Sequence, residues 1–201
     1  LGNLGVMTGV DRNGQKKALI NIDNGNYKIE DRMMLSATLF VEGVEKSYNA
    51  LNDIVIHKGA LGNIIYFELY VDNDFANSYR GDGIIITTHT GSTAYNLSAS
   101  GSIMYPTVEA IGVTAICPHT CGVRNLILSS NQEVKINIGK GDENFCLSID
   151  GQVNLGISED TEVTIKKAKW PTKILRLDDY DYFDVLRKKL IYKAMNIQRG
   201  E

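Results

Sequence analysis

The chain has 201 residues, 43% of them hydrophobic and 22% charged, the proportions of an ordinary soluble globular protein with one sizeable domain or one and a half small ones. A net charge of -3 supplies no basic excess to neutralise phosphates, so composition gives no reason to expect a nucleic-acid partner. The longest apolar runs, such as Ile84 to Ile86, are far too short to span a bilayer, and no membrane attachment is expected.

The opening Leu1-Gly2-Asn3-Leu4-Gly5 lacks the basic and apolar regions of a signal peptide. Residue 1 is not Met, so the natural N-terminus is expected to lie upstream. Three cysteines, Cys117, Cys121 and Cys146, form no disulfide framework, which points to reduced thiols and a cytoplasmic setting. Cys117-Pro-His-Thr-Cys121 lacks the second half-site that a zinc centre needs, so the thiols are expected to be buried and structural and no metal is assigned to this chain.

In chain order, Gln15 to Ile22 reads as a short helix between Gly14 and Gly25. Strands are expected over 35–41, closed by a Glu42-Gly43 turn, then over 53–57 and 64–71, the last closed by Asp72-Asn73-Asp74. Gly83 to Thr88 has no alternation, which predicts a strand covered on both faces. A helix is expected from Thr93 to Ser100, ended by Gly101. Further strands are expected over 113–117, 125–128, 133–138, 145–149, 162–166 and 173–177. Val134, Ile136 and Ile138 alternate as in a half-exposed strand. A last helix is expected from Tyr182 to about Met195. Acidic Asp179 and Asp181 stand at its start and Arg187, Lys188, Lys189 and Lys193 fall later. Phe183, Leu186 and Leu190 share one face. Many short strands between frequent turns indicate a mainly β fold, a two-sheet β-sandwich-like domain with short helices.

The densest chemical signal is the run from Arg80 through Gly81-Asp82-Gly83 to Thr90-Gly91-Ser92-Thr93-Ala94-Tyr95. It reads as a strand ending in a hydroxyl-rich, glycine-containing turn that opens a helix. Such a turn offers backbone N–H groups and hydroxyls to a polar or anionic ligand. The plainer account makes Ser92 or Thr93 an N-cap and Gly91 a turn residue. No Lys-Ser or Lys-Thr follows the glycine, so this is not a P-loop.

Those residues resemble the signature of the NAD kinases, and the resemblance runs through nearly the whole chain. Leu4-Gly5-Val6-Met7-Thr8, Glu30 to Leu35, Asn52-Asp53, Ile116 to His119, Ser148 to Gln152, and Asp181-Tyr182-Phe183 with Leu186, Lys189 and Leu190 stand in the order of that family's landmarks. The resemblance implies phosphoryl transfer from ATP, or from polyphosphate, to the adenosine ribose 2′-hydroxyl of NAD, giving NADP with the help of a divalent metal such as Mg2+. The family's Gly-Gly-Asp-Gly loop, which carries the catalytic carboxylate, is not found in this sequence, and Gly81-Asp82-Gly83 is a different motif. No catalytic residue is therefore assigned here.

Carried over by resemblance, the NAD-binding residues are Asn52, Asp53, Asn63, Arg80, Asp82, Thr90, Thr93, Ala94, Tyr95, Asn96, Leu97, Ser98, Asp150 and Gln152. Asn52 and Asp53 would address the adenosine half, with Asp53 one methylene shorter than the usual Glu. Thr93, Ala94, Tyr95 and Ser98 would line the nicotinamide-riboside end and the neighbouring adenosine, and Asp82 would accept from a nicotinamide amide or a ribose. Each has a plainer account: a turn before a strand for Asn52-Asp53, a core aromatic for Tyr95, a solvent-facing Arg80, a hairpin turn at Asp150-Gly151. His89 stands where the family has Pro and is expected at the surface; Ser100 and Ser102 replace family Gly and Pro. The resemblance also implies a homotetramer or dimer with the NAD site at a subunit interface. It further implies residues 1–33 as the end of an α/β nucleotide-binding domain, 34–178 as the NAD-binding and oligomerisation domain, and 179–201 as a helix returning to the first. Two other readings stay open at this point: a non-catalytic NAD(P)-binding module of the same ancestry, and a lipid kinase of the related superfamily.

Overall fold

A computed structural model describes residues 10, 13–59, 64–119, 122–139, 145–159 and 161–191. In chain order they form helix α1 (Gln15–Asp23), strands β1 (Tyr27–Arg32), β2 (Leu35–Val41), β3 (Val44–Ala50), β4 (Asp53–Lys58), β5 (Ile65–Val71), β6 (Asp74–Gly81) and β7 (Gly83–Thr87), helix α2 (Tyr95–Ser98), strands β8 (Ala110–Ile116), β9 (Leu126–Ser129), β10 (Val134–Ile138), β11 (Phe145–Ile149), β12 (Val153–Ile157), β13 (Glu162–Lys167) and β14 (Thr172–Leu177), and helix α3 (Tyr182–Leu186). Among the described residues no helix is long and apolar enough to cross a membrane.

The chain divides into two compact units, Leu1–Arg32 with Thr172–Glu201, and Met33–Pro171. In the first, β1 and β14 form an antiparallel ribbon from Tyr27 opposite Leu177 to Arg32 opposite Thr172. Two nearly buried arginines, Arg32 and Arg176, converge on the carboxylate of Glu30, at 2.5 and 3.3 Å. The Arg176 guanidinium also lies 4.1 Å from the Tyr180 ring, a cation–π stack. Helix α3 is capped by the Asp181 carboxylate, which accepts the Asp184 N–H at 2.9 Å. The expected long helix becomes a π-turn over Arg187–Ile191, and the part beyond residue 191 lies outside the described residues. Phe183, expected on a docked apolar face, is exposed. Asp179 does not cap the helix; it pairs with Lys17 of α1 at 2.7 Å.

The second unit is a two-sheet sandwich. One sheet has the order β3-β2-β13-β10-β5-β6 and the other β12-β11-β4-β7-β8-β9, all pairs antiparallel. Alternation drives this packing. Leu35, Ala37 and Leu39 of β2, Phe67 and Leu69 of β5, and Val134, Ile136 and Ile138 of β10 point inward from the first sheet. They meet Ile54, Ile56, Ile84, Ile86, Ile111, Val113 and Leu147 of the second in one buried cluster. Taking each such side chain out of water contributes about 1.5–3 kcal/mol, set against the entropy of ordering the chain.

The second sheet is also covered on part of its outer face, where Val55, Ile85 and Ile116 form a separate buried cluster against Ala99. That explains the unbroken apolar run of β7, which is buried at every position. The tight turns follow their residues: Glu42-Gly43, Asp72-Asn73 and Asp150-Gly151 adopt positive φ at both positions, the geometry that joins twisted antiparallel strands.

The segment after β7 departs from expectation. Instead of one helix from Thr93 to Ser100, a 3-10 turn over Gly91–Thr93 is separated from the four-residue α2 by Ala94, whose backbone is not helical. Neither Ser92 nor Thr93 is an N-cap. The Ser92 hydroxyl instead donates to the His89 carbonyl at 2.6 Å and accepts the Met104 N–H at 3.0 Å. It thereby ties the turn to the loop that follows.

Candidate functional site

The outer face of the second sheet carries a cavity of about 520 Å³, within the range of small-molecule sites. Asp53, Val55 and His57 project into it from alternate positions of β4, with Ser148 of β11 and Ile116 of β8 beside them. Asn52, Lys58, Asp82, Ala94, Tyr95, Asp150 and Gly151 complete the lining.

Its geometry depends on Asp150. The hairpin turn between β11 and β12 holds this residue at φ 50°, and its carboxylate turns back onto the strand that pairs with β11. One oxygen accepts the Leu51 N–H at 2.8 Å; the other accepts those of Asn52 at 2.7 Å and Asp53 at 3.0 Å. The Asp150 N–H donates to the Asp53 carbonyl at 3.0 Å, which closes the link in both directions. The Asn52 carbonyl accepts the Thr88 N–H at 2.9 Å and the Thr87 hydroxyl at 3.1 Å, so the loop is also fastened to the end of β7. Gly91 allows this approach, since a Cβ there would stand 2.1 Å from the Asn52 carbonyl oxygen.

The acidic residues differ in environment. Asp53 is only 4% exposed, and burial first, then the neighbouring Asp150 carboxylate, push its pKa up to about 6. Such a displaced carboxylate inside a cavity is a mark of functional sites. Asp82 instead pairs with Lys58 at 2.8 Å at the partly open edge. The His57 Nδ1 lies 2.7 Å from the Lys58 carbonyl.

Of the residues singled out in the sequence, Asn52, Asp53, Asp82, Ala94, Tyr95 and Asp150 are brought together around the cavity. Tyr95 is 47% exposed, so it is not a core aromatic. Arg80, Thr90, Thr93, Asn96, Leu97, Ser98 and Gln152 are not in the lining. Thr90 and Thr93 are buried in the turn, with the Thr93 hydroxyl 3.5 Å from the Thr90 carbonyl. Asn96 is fully engaged as a brace: its amide donates to the Ser92 and Ser102 carbonyls, and its oxygen accepts the Thr114 hydroxyl at 2.7 Å. Arg80, Ser98 and Gln152 are exposed. Asn63 lies outside the described residues. His89 is 4% exposed, not a surface residue, because the turn packs it inward. Cys117 is exposed rather than buried, Cys146 is partly buried, and Cys121 is outside the described residues.

Sequence reading missed Val55, His57, Lys58, Ile116, Ser148 and Gly151 as lining residues. The signal for Val55 and His57 was present: with Asp53 on the outer face, period-2 alternation places residues 55 and 57 there too. Among the described residues no three His, Cys, Asp or Glu side chains converge as a metal site.

The sandwich of two antiparallel sheets thus carries an acid-lined cavity on one outer face, and comparison with known proteins specifies the family. Residues 51–177 match the family model of the ATP-NAD kinase C-terminal domain. The chain is 40% identical over 195 residues to the NAD kinase of Clostridium botulinum (strain 657 / Type Ba4), covering 96% of this chain and 68% of that one. It is 41% identical over 191 residues to the NAD kinase of Thermoanaerobacter sp. (strain X514), covering 94% and 68%. Among solved structures, yeast NADH kinase complexed with NADH superposes with a TM-score of 0.86 at 27% identity, covering 94% of this chain and 58% of that chain. An NAD kinase from Archaeoglobus fulgidus in complex with ATP shares the fold, with a TM-score of 0.75 at 24% identity over 92% of this chain and 69% of that one. The chain belongs to the NAD kinase family, whose members are phosphotransferases, and it covers that family's C-terminal domain. It spans about two thirds of the length of the curated relatives and 58% of the yeast chain.

Proposed function

We propose that this chain is the dinucleotide-binding part of an enzyme that phosphorylates the adenosine ribose 2′-hydroxyl of NAD to give NADP. The observation that carries the reading is the convergence of Asn52, Asp53, Asp82, Tyr95 and Asp150 on one cavity, in a chain of this family. Asn52 and Asp53 offer an amide and a carboxylate, which between them donate to a ring edge and accept from ribose hydroxyls. Tyr95, half exposed at the rim, offers a face on which a base can stack.

In the reaction the 2′-oxygen forms a bond to the terminal phosphorus of ATP or polyphosphate, the bond from that phosphorus to its bridging oxygen breaks, and the hydroxyl proton passes to a base. Such transfer relies mainly on positioning and on stabilising the charge of the moving group. The residues of this cavity bind and orient the acceptor. No catalytic base is assigned among them. A divalent metal such as Mg2+ belongs to the family's chemistry; among the described residues no three His, Cys, Asp or Glu side chains converge to hold one, and no step is derived through it.

On the same reading residues 1–33 end an α/β nucleotide-binding domain, 34–178 form the NAD-binding and oligomerisation domain, and 179–201 return to the first. The working form is a cytoplasmic homotetramer or dimer with the NAD site at a subunit interface. Ile103, Tyr105, Val108 and Ile127, each 42% to 50% exposed near the edge strand β9, support a contact surface there. Calorimetric titration of NAD into the full chain tests the binding assignment, with Asn52→Ala as the control. The hydrogen bonds of Asn52 run through its backbone, so the substitution removes the amide and leaves the loop in place. Saturable binding that weakens in the variant is expected. A folded sample that binds no NAD would remove the assignment.

A further inference from the structure

The oxidised and reduced dinucleotides have nearly the same shape but differ by one unit of charge, because the oxidised nicotinamide ring is cationic and the dihydro ring is neutral. A site can tell them apart electrostatically wherever the ring settles within it. The described lining of this cavity holds three carboxylates, those of Asp53, Asp82 and Asp150, against the single ammonium of Lys58.

The three acids are not equivalent. Asp150 is committed to the backbone N–H groups of Leu51, Asn52 and Asp53. Asp53 is 96% buried, and among the described residues its carboxylate accepts no hydrogen bond, so it faces the cavity with its hydrogen-bonding capacity unused. Asp82 is held by Lys58 at 2.8 Å, with both side chains about one-third exposed. This pair is the adjustable part of the local field, because neither member is needed to shape the Asn52 loop.

We infer that Asp82 and Lys58 set how strongly the cavity prefers the oxidised over the reduced dinucleotide, with Asp82 favouring the cationic ring and Lys58 opposing it. The inference rests on the reading of the cavity as an NAD site. Removing Asp82 deletes a negative charge and also releases Lys58 from its partner, so both effects act against the oxidised form. Removing Lys58 deletes the one cation of the described lining and leaves Asp82 unneutralised. For charges about 6 Å apart with solvent screening, one unit of charge changes the preference by about threefold.

The test measures dissociation constants of NAD and of NADH for the full chain, for Asp82→Asn and for Lys58→Gln, by calorimetry at low and high salt. The expected result is a ratio favouring NAD in the native protein, lowered about threefold by Asp82→Asn, raised by a similar factor by Lys58→Gln, and compressed in all three at high salt. Opposite movements of the ratio separate this role from general damage, which would weaken both ligands alike. A ratio that stays constant across the three proteins overturns the inference and leaves the NAD site standing. If the native protein binds neither dinucleotide, the reading of the cavity falls and the inference falls with it.

Discussion

The Asp150 carboxylate accepts the backbone N–H of Asn52 at 2.7 Å, a hydrogen bond between residues 98 apart in the chain that fixes one wall of the cavity. The same oxygen accepts the Asp53 N–H and its partner oxygen that of Leu51, so one side chain replaces three solvating waters. A charged acceptor serving three amides is among the stronger arrangements available to a backbone loop.

Truncating that side chain leaves three N–H groups without an acceptor in a partly buried setting. Asp150→Ala is expected to lower stability by about 2–4 kcal/mol and to weaken NAD binding more than Asn52→Ala does. Denaturant unfolding and calorimetry on the same preparations check both. Native-like stability would show that water takes over the three bonds at little cost.

Asp53 predicts a pH dependence of opposite sign to the common carboxylate case. Burial and Asp150 raise its pKa from 3.8 to about 6, so the folded state holds the proton more tightly than the unfolded chain. Its ionisation therefore costs the fold nothing below about pH 4, an increasing amount between pH 4 and 6, and a constant amount above. Asp53→Asn is expected to stabilise the protein by about 2–3 kcal/mol at pH 7.5, with the gain vanishing near pH 4. Urea midpoints of both proteins across pH 4 to 8 measure it. Dinucleotide affinity should fall in the same variant, the exchange of stability for function expected of a site residue.

Gly91 has to lack a side chain because the Asn52 carbonyl oxygen and the Thr87 hydroxyl would stand 2.1 and 2.5 Å from its Cβ. Gly91→Ala should push the Asn52 loop away from β7, at a cost of about 1–3 kcal/mol, and shift NAD affinity along with stability. A variant with the unfolding midpoint of the native protein would show that the loop yields freely.

Ser100 sits at φ 64°, in the left-handed region, directly after the short α2. An L side chain is disfavoured there, so Ser100→Gly should raise the thermal midpoint, by about 1 kcal/mol in free energy at most. The Ser100 carbonyl accepts the Asn125 amide at 2.8 Å, and that bond survives the change. No gain, or a loss, would show that the greater freedom of glycine in the unfolded chain outweighs the relief of strain.

The central strands were legible because burial writes itself into composition. Leu35 to Val41 and Phe145 to Ile149 are strands over the residues their apolar pattern indicates, and the unbroken run of Gly83 to Thr88 announced a strand covered on both faces, which the structure forms over Gly83–Thr87. Strands β1, β3, β6 and β12 were not legible. Three of them are sheet edges and the fourth belongs to a two-stranded ribbon, so most of their residues face water and carry no periodic apolar signal.

The site divides in the same way. Thr90 to Tyr95 stood out as a local cluster of hydroxyls, Asn52-Asp53 only through the family resemblance, and Asp150-Gly151 announced a turn, since Asp and Gly tolerate the positive φ that a tight hairpin needs. Which of those residues meet was decided by strand order. Because β11 pairs with β4, the Asp150 turn lands on the Asn52 loop, and because β7 lies on the other side of β4, Gly91 closes against it. Burial of Asn96 as a brace, of His89 inside the turn, and of Asp53 beside Asp150 follow from the same packing. Local composition determines which segments extend, turn and carry polar groups. Contacts between residues some forty to a hundred positions apart depend on how those segments pair, and that is set by the global burial of apolar surface rather than by any pattern within one segment.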